Sequence, residues 1–196
     1  MKPTDVRDPN YYHKVVDCQW ACPAHTNVPE YIRLIAQGRY EEGIAGMRRG
    51  LSAIRATGGA PQARYFHLLA SGLGRVGRPQ EGLQVLEEGF ASAARSGEQA
   101  VGPHLHHVRG ELLLAQDPPD VAEAERCFCT AIEIARRQSA RWPELRATTR
   151  LARMLAKQGR RDEARTILNE IYAWFTEGFD TVDLKDAKAL LDELSG

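Results

Sequence analysis

One pattern recurs along this chain: an apolar helix-like run, a short turn, and a second run opened by a small residue. It appears as "YIRLIAQGRYEEGIAGMRRGLSAI" with a turn at Gly38, and as "ARYFHLLASGLGRVGRPQEGLQVLEEGFASAAR" with a turn at Gly77. It returns as "HHVRGELLLAQDPPDVAEAERCFCTAIEIARR" with a turn at Asp117 to Asp120, and as "LRATTRLARMLAKQGRRDEARTILNEIYAWF" with a turn at Gly159. The small residues opening the second runs are Gly43, Gly82, Ala124 and Ala164, separated by 39, 42 and 40 residues. Four positions later comes a large apolar residue (Met47, Leu86, Phe128, Leu168), and three beyond that Gly50, Gly89, Ala131 or Ile171. Small residues let neighbouring helices approach closely, and the large residue fills the space between units. Glycine at the turn supplies a left-handed cap. A unit of this size cannot bury its apolar face alone, so the units must stack.

This pattern resembles the tetratricopeptide repeat, a helix-turn-helix unit that stacks into a superhelix. The resemblance implies an all-α, tetratricopeptide-like helix-turn-helix solenoid whose first helices line a concave groove. The unit is longer than the usual length of about 34 residues, which implies longer helices and connectors. The terminal stretch "TVDLKDAKALLDELSG" places Leu184, Ala187, Leu190, Leu191 and Leu194 on one helical face, as expected of a C-terminal capping helix. The expected division is a tail over 1–27, a first helix pair over 28–58, three repeats over 59–178 and the cap over 179–196.

"EEGIAGMRRGLSAIRATG", "AEAERCFCTAIEIARRQSA" and "WFTEGFDTVDLKDAKALLDEL" are similar, over about residues 41–196, to the C-terminal repeat region of large bacterial regulators. Those regulators carry an adenylate/guanylate cyclase or ATPase domain upstream. No activity transfers with the resemblance, because the chain has no GxxxxGK[ST] loop and no room for a cyclase domain.

The stretch from about residue 8 to 42, "DPNYYHKVVDCQWACPAHTNVPEYIRLIAQGRY" at its heart, is similar to a different family. It resembles the N-terminal iron–sulfur region of glutamate-synthase-small-subunit-like oxidoreductases. The resemblance implies Cys18 and Cys22 as metal ligands and an iron–sulfur electron-transfer fragment as the alternative function. A cluster needs about four converging thiolates, and the next cysteines are Cys127 and Cys129. Two residues apart on a helix, those side chains diverge by about 200°. They are expected to be small packing residues at a helix boundary, and no cofactor is expected. The two resemblances meet at "GRYEEG", which also serves as a repeat turn, so a fusion of two families explains the chain better than a cofactor enzyme.

Net charge is zero, with 26 basic and 26 acidic residues, so no global field recruits nucleic acid or membrane. The opening "MKPTDVRDPNYYHKVV" has no apolar h-region and no run is long enough to span a bilayer, from which a cytoplasmic protein is expected. His104 and His107 share a helix face but lack an HExxH pattern, so zinc is not expected. No GxSxG or comparable nucleophile motif is present, and an enzyme is not expected.

Charge is more informative locally. Residues 136–165 hold ten basic against three acidic residues, and residues 166–196 hold seven acidic against two basic. Arg146, Arg150, Arg153 and Lys157 fall on one helix face, with His104 and His107 at comparable places one unit earlier, and Arg64 and His67 two units earlier. The expected function is a non-catalytic scaffold or regulatory module that binds a peptide or protein segment, acidic in character, in the groove. Nucleic acid is not expected, since no aromatics interleave with the basic residues. The chain's own acidic end, Asp180 to Glu193, is the built-in rival for the basic wall.

Overall fold

A computed structural model of the chain describes residues 33–195. Among these residues every regular element is helical and there is no strand. They form two compact units, one ending at Ser96 and one beginning at Gly97.

In the first unit, residues 33–36 are helical and turn at Gly38, which has φ +73°. Three helices follow: α1 (Tyr40–Ala56), α2 (Ala63–Arg75) and α3 (Pro79–Ser96). Ile44, Met47 and Leu51 of α1 pack on Phe66, Leu69 and Leu73 of α2, with Tyr65 and Val85 at the margin. Gly72 lets α2 lie close to α1, since a Cβ there would stand 3.3 Å from Ile44 Cγ1. The Ser92 hydroxyl of α3 donates to the Pro61 carbonyl at 2.6 Å, fixing the entry to α2.

The second unit contains α4 (Gly102–Leu114), α5 (Val121–Arg137), α6 (Arg141–Lys157), α7 (Arg161–Tyr172) and α8 (Val182–Ser195). α4 pairs with α5 and α6 with α7; α8 packs on both α6 and α7. The α8 stripe of Leu184, Ala187, Leu190, Leu191 and Leu194 is buried. The residues that set the repeat pattern occupy the core: Ala124, Phe128, Ala164 and Leu168 have no measurable exposure. Phe128 lies against Gly110 of α4, where a Cβ would crowd its ring.

The turns show why the chain folds at these places. At Gly38, Gly77 and Gly159, φ is +73°, +74° and +82°. The following arginine N–H donates back to a helix carbonyl at 2.9 Å in each case: Arg39 to Leu34, Arg78 to Leu73, Arg160 to Leu155. This is the glycine C-cap, and it satisfies carbonyls that the helix end would otherwise leave open. The same arginine then pairs with the glutamate three residues on, Arg39 with Glu42, Arg78 with Glu81 and Arg160 with Glu163. Two of these arginines also reach the preceding repeat, Arg78 to Glu41 at 3.3 Å and Arg160 to Glu125 at 2.8 Å. The segment Gly-Arg-x-x-Glu is therefore a turn, a helix start and a clamp between repeats. Between α4 and α5, where the glycine is replaced by "DPPD", Asp120 caps α5 by accepting from the Glu123 N–H at 3.0 Å.

Among the described residues Glu144 is the charged side chain that is buried, 2% exposed near the start of α6. Its carboxylate accepts from Arg136 Nε of α5 at 2.7 Å and from Arg141 Nη1 at 2.8 Å. That pairing ties the two hairpins of this unit together and draws the Arg136 pKa upward. A carboxylate out of water needs such partners.

Candidate functional site

In the second unit, the arginine row of α6 runs between α4 and α8, and each member finds a carboxylate. Arg146 donates through Nε and Nη2 to Asp183 Oδ2 of α8 at 2.9 and 2.7 Å. Arg153 donates to Asp186 Oδ1 of α8 at 2.7 Å. Arg150 turns the other way and pairs with Glu111 Oε1 of α4 at 2.7 Å. Lys157, at the end of the row, is exposed and makes no ion pair among the described residues. Glu111 of α4 and Asp183 and Asp186 of the acidic cap therefore neutralise the basic wall in part: three carboxylates against four cations leave one positive charge.

These pairs are on the surface. The Arg146, Arg150 and Arg153 side chains keep 52%, 48% and 32% of their exposure. Exposed pairs of this kind contribute roughly 0–1 kcal/mol each. An incoming carboxylate can therefore replace an internal one at little cost to the fold.

Of the α4 histidines, His107 lies beside this row with His104 near it, whereas His106 neighbours Arg109 and Glu123. His107 Nε2 lies 3.6 Å from Glu111 Oε2, so Glu111 stands between the imidazole and Arg150. The ring meets Phe128 edge-on at 5.8 Å. Its Nδ1 is buried without a hydrogen-bond partner among the described residues. Burial pushes the His107 pKa below the usual histidine value, and Glu111 opposes that shift. His104, one turn earlier, is half-buried. In the other unit, Arg64 is exposed and His67 half-buried on α2.

The cysteines divide. Cys127 is buried and Cys129 is exposed. Both lie in the middle of α5, so the expectation of two packing residues at a helix boundary is corrected: the helical angle sends only Cys127 into the core. Burial pushes the Cys127 thiol up to about 11 and raises Cys129 as well, which disfavours the thiolate that metals bind. No group of three or more His, Cys, Asp or Glu side chains among the described residues is placed to hold a metal. Cys18 and Cys22 lie outside the described residues. No described helix is long and apolar enough to cross a membrane.

The partners of the arginine row carry a sequence signal of their own. Arg146 and Asp183 are 37 residues apart, Arg153 and Asp186 33. Both fall short of the 39–42 residues that separate successive units, since Asp183 and Asp186 lie near the start of α8; Arg150 and Glu111, 39 apart, stand one full repeat from each other.

Neither a family model nor a curated protein matches this sequence. Solved structures do. A Podosopora anserina kinesin-light-chain candidate with nearly identical TPR-like repeats superposes with a TM-score of 0.66. The alignment has 18% identity and covers 88% of this chain and 86% of that one. A single-substitution variant of that protein gives 0.67 at 18% identity, covering 88% and 85%. At that identity the likeness is one of fold, and the fold of this chain is a tetratricopeptide-like, all-α helical repeat.

Proposed function

We propose that this chain is a non-catalytic protein-interaction module, a scaffold or regulatory part, that holds a segment of a partner protein on the face made by α4, α6 and α8. Acidic side chains of the segment exchange for Asp183 and Asp186 on Arg146 and Arg153, and engage Lys157. The observation that carries this reading is the row of exposed and half-buried arginines held, among the described residues, by surface ion pairs. Arginine's planar fork takes a carboxylate through two parallel bonds, so the row favours Asp and Glu in the partner. Helical repeats commonly serve as extended protein-binding surfaces. The chain works without a cofactor, in the cytoplasm, on protein rather than nucleic acid or lipid. The cysteine segment is an inherited stretch rather than a cluster site.

The test is fluorescence anisotropy with a labelled peptide rich in Glu and Asp, against a Lys-rich control of equal length. Arg150→Glu with Arg153→Glu should abolish preference for the acidic peptide while circular dichroism stays unchanged. Equal affinity for both peptides, or no effect of the reversal, would rule the reading out. Iron analysis and visible absorbance after anaerobic purification address the cysteines; stoichiometric iron would restore the electron-transfer alternative.

A further inference from the structure

The exposed aromatic side chains of the second unit gather at one place. Trp142 sits near the start of α6, Trp174 and Phe175 just follow α7, and Phe179 lies in the connection to α8. α6 and α7 are antiparallel, so this is the end of the hairpin away from the Gly159 turn. The Trp142 and Phe175 rings are 4.9 Å apart, and Trp174 stands edge-on to Phe175 at 5.1 Å. Phe179 meets Tyr172 at 6.0 Å. Phe175 is buried, but Trp142, Trp174 and Phe179 keep 40%, 55% and 47% of their exposure, and Val182 beside them 82%. A single exposed aromatic is ordinary; a contiguous group, rimmed by polar residues, marks a surface that another molecule covers.

Charge indicates which molecule. Glu177 and Asp180 lie in the same connection, both exposed, and neither makes an ion pair among the described residues. Of the cations around this connection, Arg146 pairs with Asp183 and Arg141 with Glu144, and Lys185 of α8 makes no ion pair with Glu177 or Asp180. Arg141 also lies over the Trp174 ring, 5.3 Å from its centroid, so this indole already accepts a guanidinium. The surface thus offers aromatic faces together with two uncompensated carboxylates.

We propose that this patch docks a segment of a partner protein in which an arginine or lysine stands beside an aliphatic or aromatic residue. The cation answers Glu177 and Asp180 and the aromatic faces, and the apolar neighbour covers Trp142 and Phe179. Tryptophan and arginine dominate such contacts because they combine large apolar area with a directed polar handle. A second copy of this chain fits less well, since in a two-fold contact the same patch faces itself and Glu177 and Asp180 meet their own images. The proposal uses neither the arginine row nor an acidic segment, and its partner has the opposite sign, so it stands or falls separately from the function proposed above.

A displayed library of random dodecapeptides, selected on the full chain, tests it. The expected pool carries Arg or Lys next to an apolar residue. A synthetic peptide from that pool should lose about tenfold or more in affinity to Glu177→Lys with Asp180→Lys, and weaken as salt rises. The same peptide should bind Arg150→Glu/Arg153→Glu unchanged. Trp174→Ser should weaken binding and shrink the tryptophan fluorescence shift to the part from Trp142; the loop charge reversal, at exposed residues without ion-pair partners among the described residues, carries the test if Trp174→Ser unfolds. No enrichment, a pool without such basic sequences, or their equal selection on the reversed chain would overturn the proposal. So would a concentration-dependent dimer in sedimentation equilibrium that Trp174→Ser abolishes, because the occupant would then be a second copy.

Discussion

Gly110 decides between two opposed effects, and the structure says which is larger. Glycine in a helix interior costs about 1 kcal/mol relative to alanine, so propensity alone predicts that Gly110→Ala stabilises α4. A Cβ at Gly110, however, would stand 2.7 Å from Phe128 Cε1, 2.8 Å from Cζ and 3.1 Å from Cδ1. That ring has no exposure and His107 meets it edge-on, so it has little room to pivot. Overpacking of this kind costs about 1–3 kcal/mol, and with three close contacts to a rigid ring the upper half of that range applies. The net expectation is a loss of about 1–2 kcal/mol. Urea denaturation followed by circular dichroism measures it, and amide exchange should show the loss in α4 and α5. Gly110→Ala combined with Phe128→Leu should show favourable coupling, because the shorter side chain vacates the space the methyl needs. A Gly110→Ala chain more stable than the parent by about 1 kcal/mol would refute the close-approach argument and leave propensity as the whole effect.

Three further outcomes are expected. Asp183→Asn with Asp186→Asn should uncover Arg146 and Arg153, raising affinity for an acidic peptide by up to about tenfold while costing less than about 2 kcal/mol of stability, since both pairs are exposed; anisotropy and urea midpoints read the two effects. His107 is held below its usual pKa by burial, against Glu111 and with Arg150, His104 and Arg146 assisting, so the unfolded chain takes up its proton first. Stability is then fully present above about pH 6.5 and is lost as pH falls through the lower folded value; His106 shifts the same way, so His107→Gln should reduce the acid slope of the urea midpoint without removing it. Glu144→Ala should cost about 2–3 kcal/mol, below the usual range for a broken buried pair because Arg136 and Arg141 keep 45% and 35% exposure and can rehydrate; a change under about 0.5 kcal/mol would mean the carboxylate does not join the two hairpins.

What the sequence discloses follows from how local each feature is. The glycine turns, the small and large residues of each second helix and the leucine stripe of α8 are set by neighbours within a few positions, and the fold places them as the repeat pattern implies. The Gly-Arg-x-x-Glu clamp is present in the letters, yet its second bond, Arg78 to Glu41 or Arg160 to Glu125, joins residues a repeat apart and shows only when units are laid side by side. Glu144 reads as an ordinary charge in the first turn of α6; its burial depends on Arg136 arriving from α5. Cys127 and Cys129 look alike in sequence, and the helix alone separates them.

The arginine row makes the general point. Read along α6, Arg146, Arg150, Arg153 and Lys157 form an uninterrupted basic face. In the stacked second unit, however, each arginine of this row meets a carboxylate on α4 or on α8. Glu111 lies 39 positions before Arg150, and Asp183 lies 37 after Arg146. The charge such a face offers is therefore the sum over α4, α6 and α8. On that sum the face is nearly balanced, and under the proposed function it would take a partner by exchanging one carboxylate for another, whereas Glu177 and Asp180 make no ion pair among the described residues.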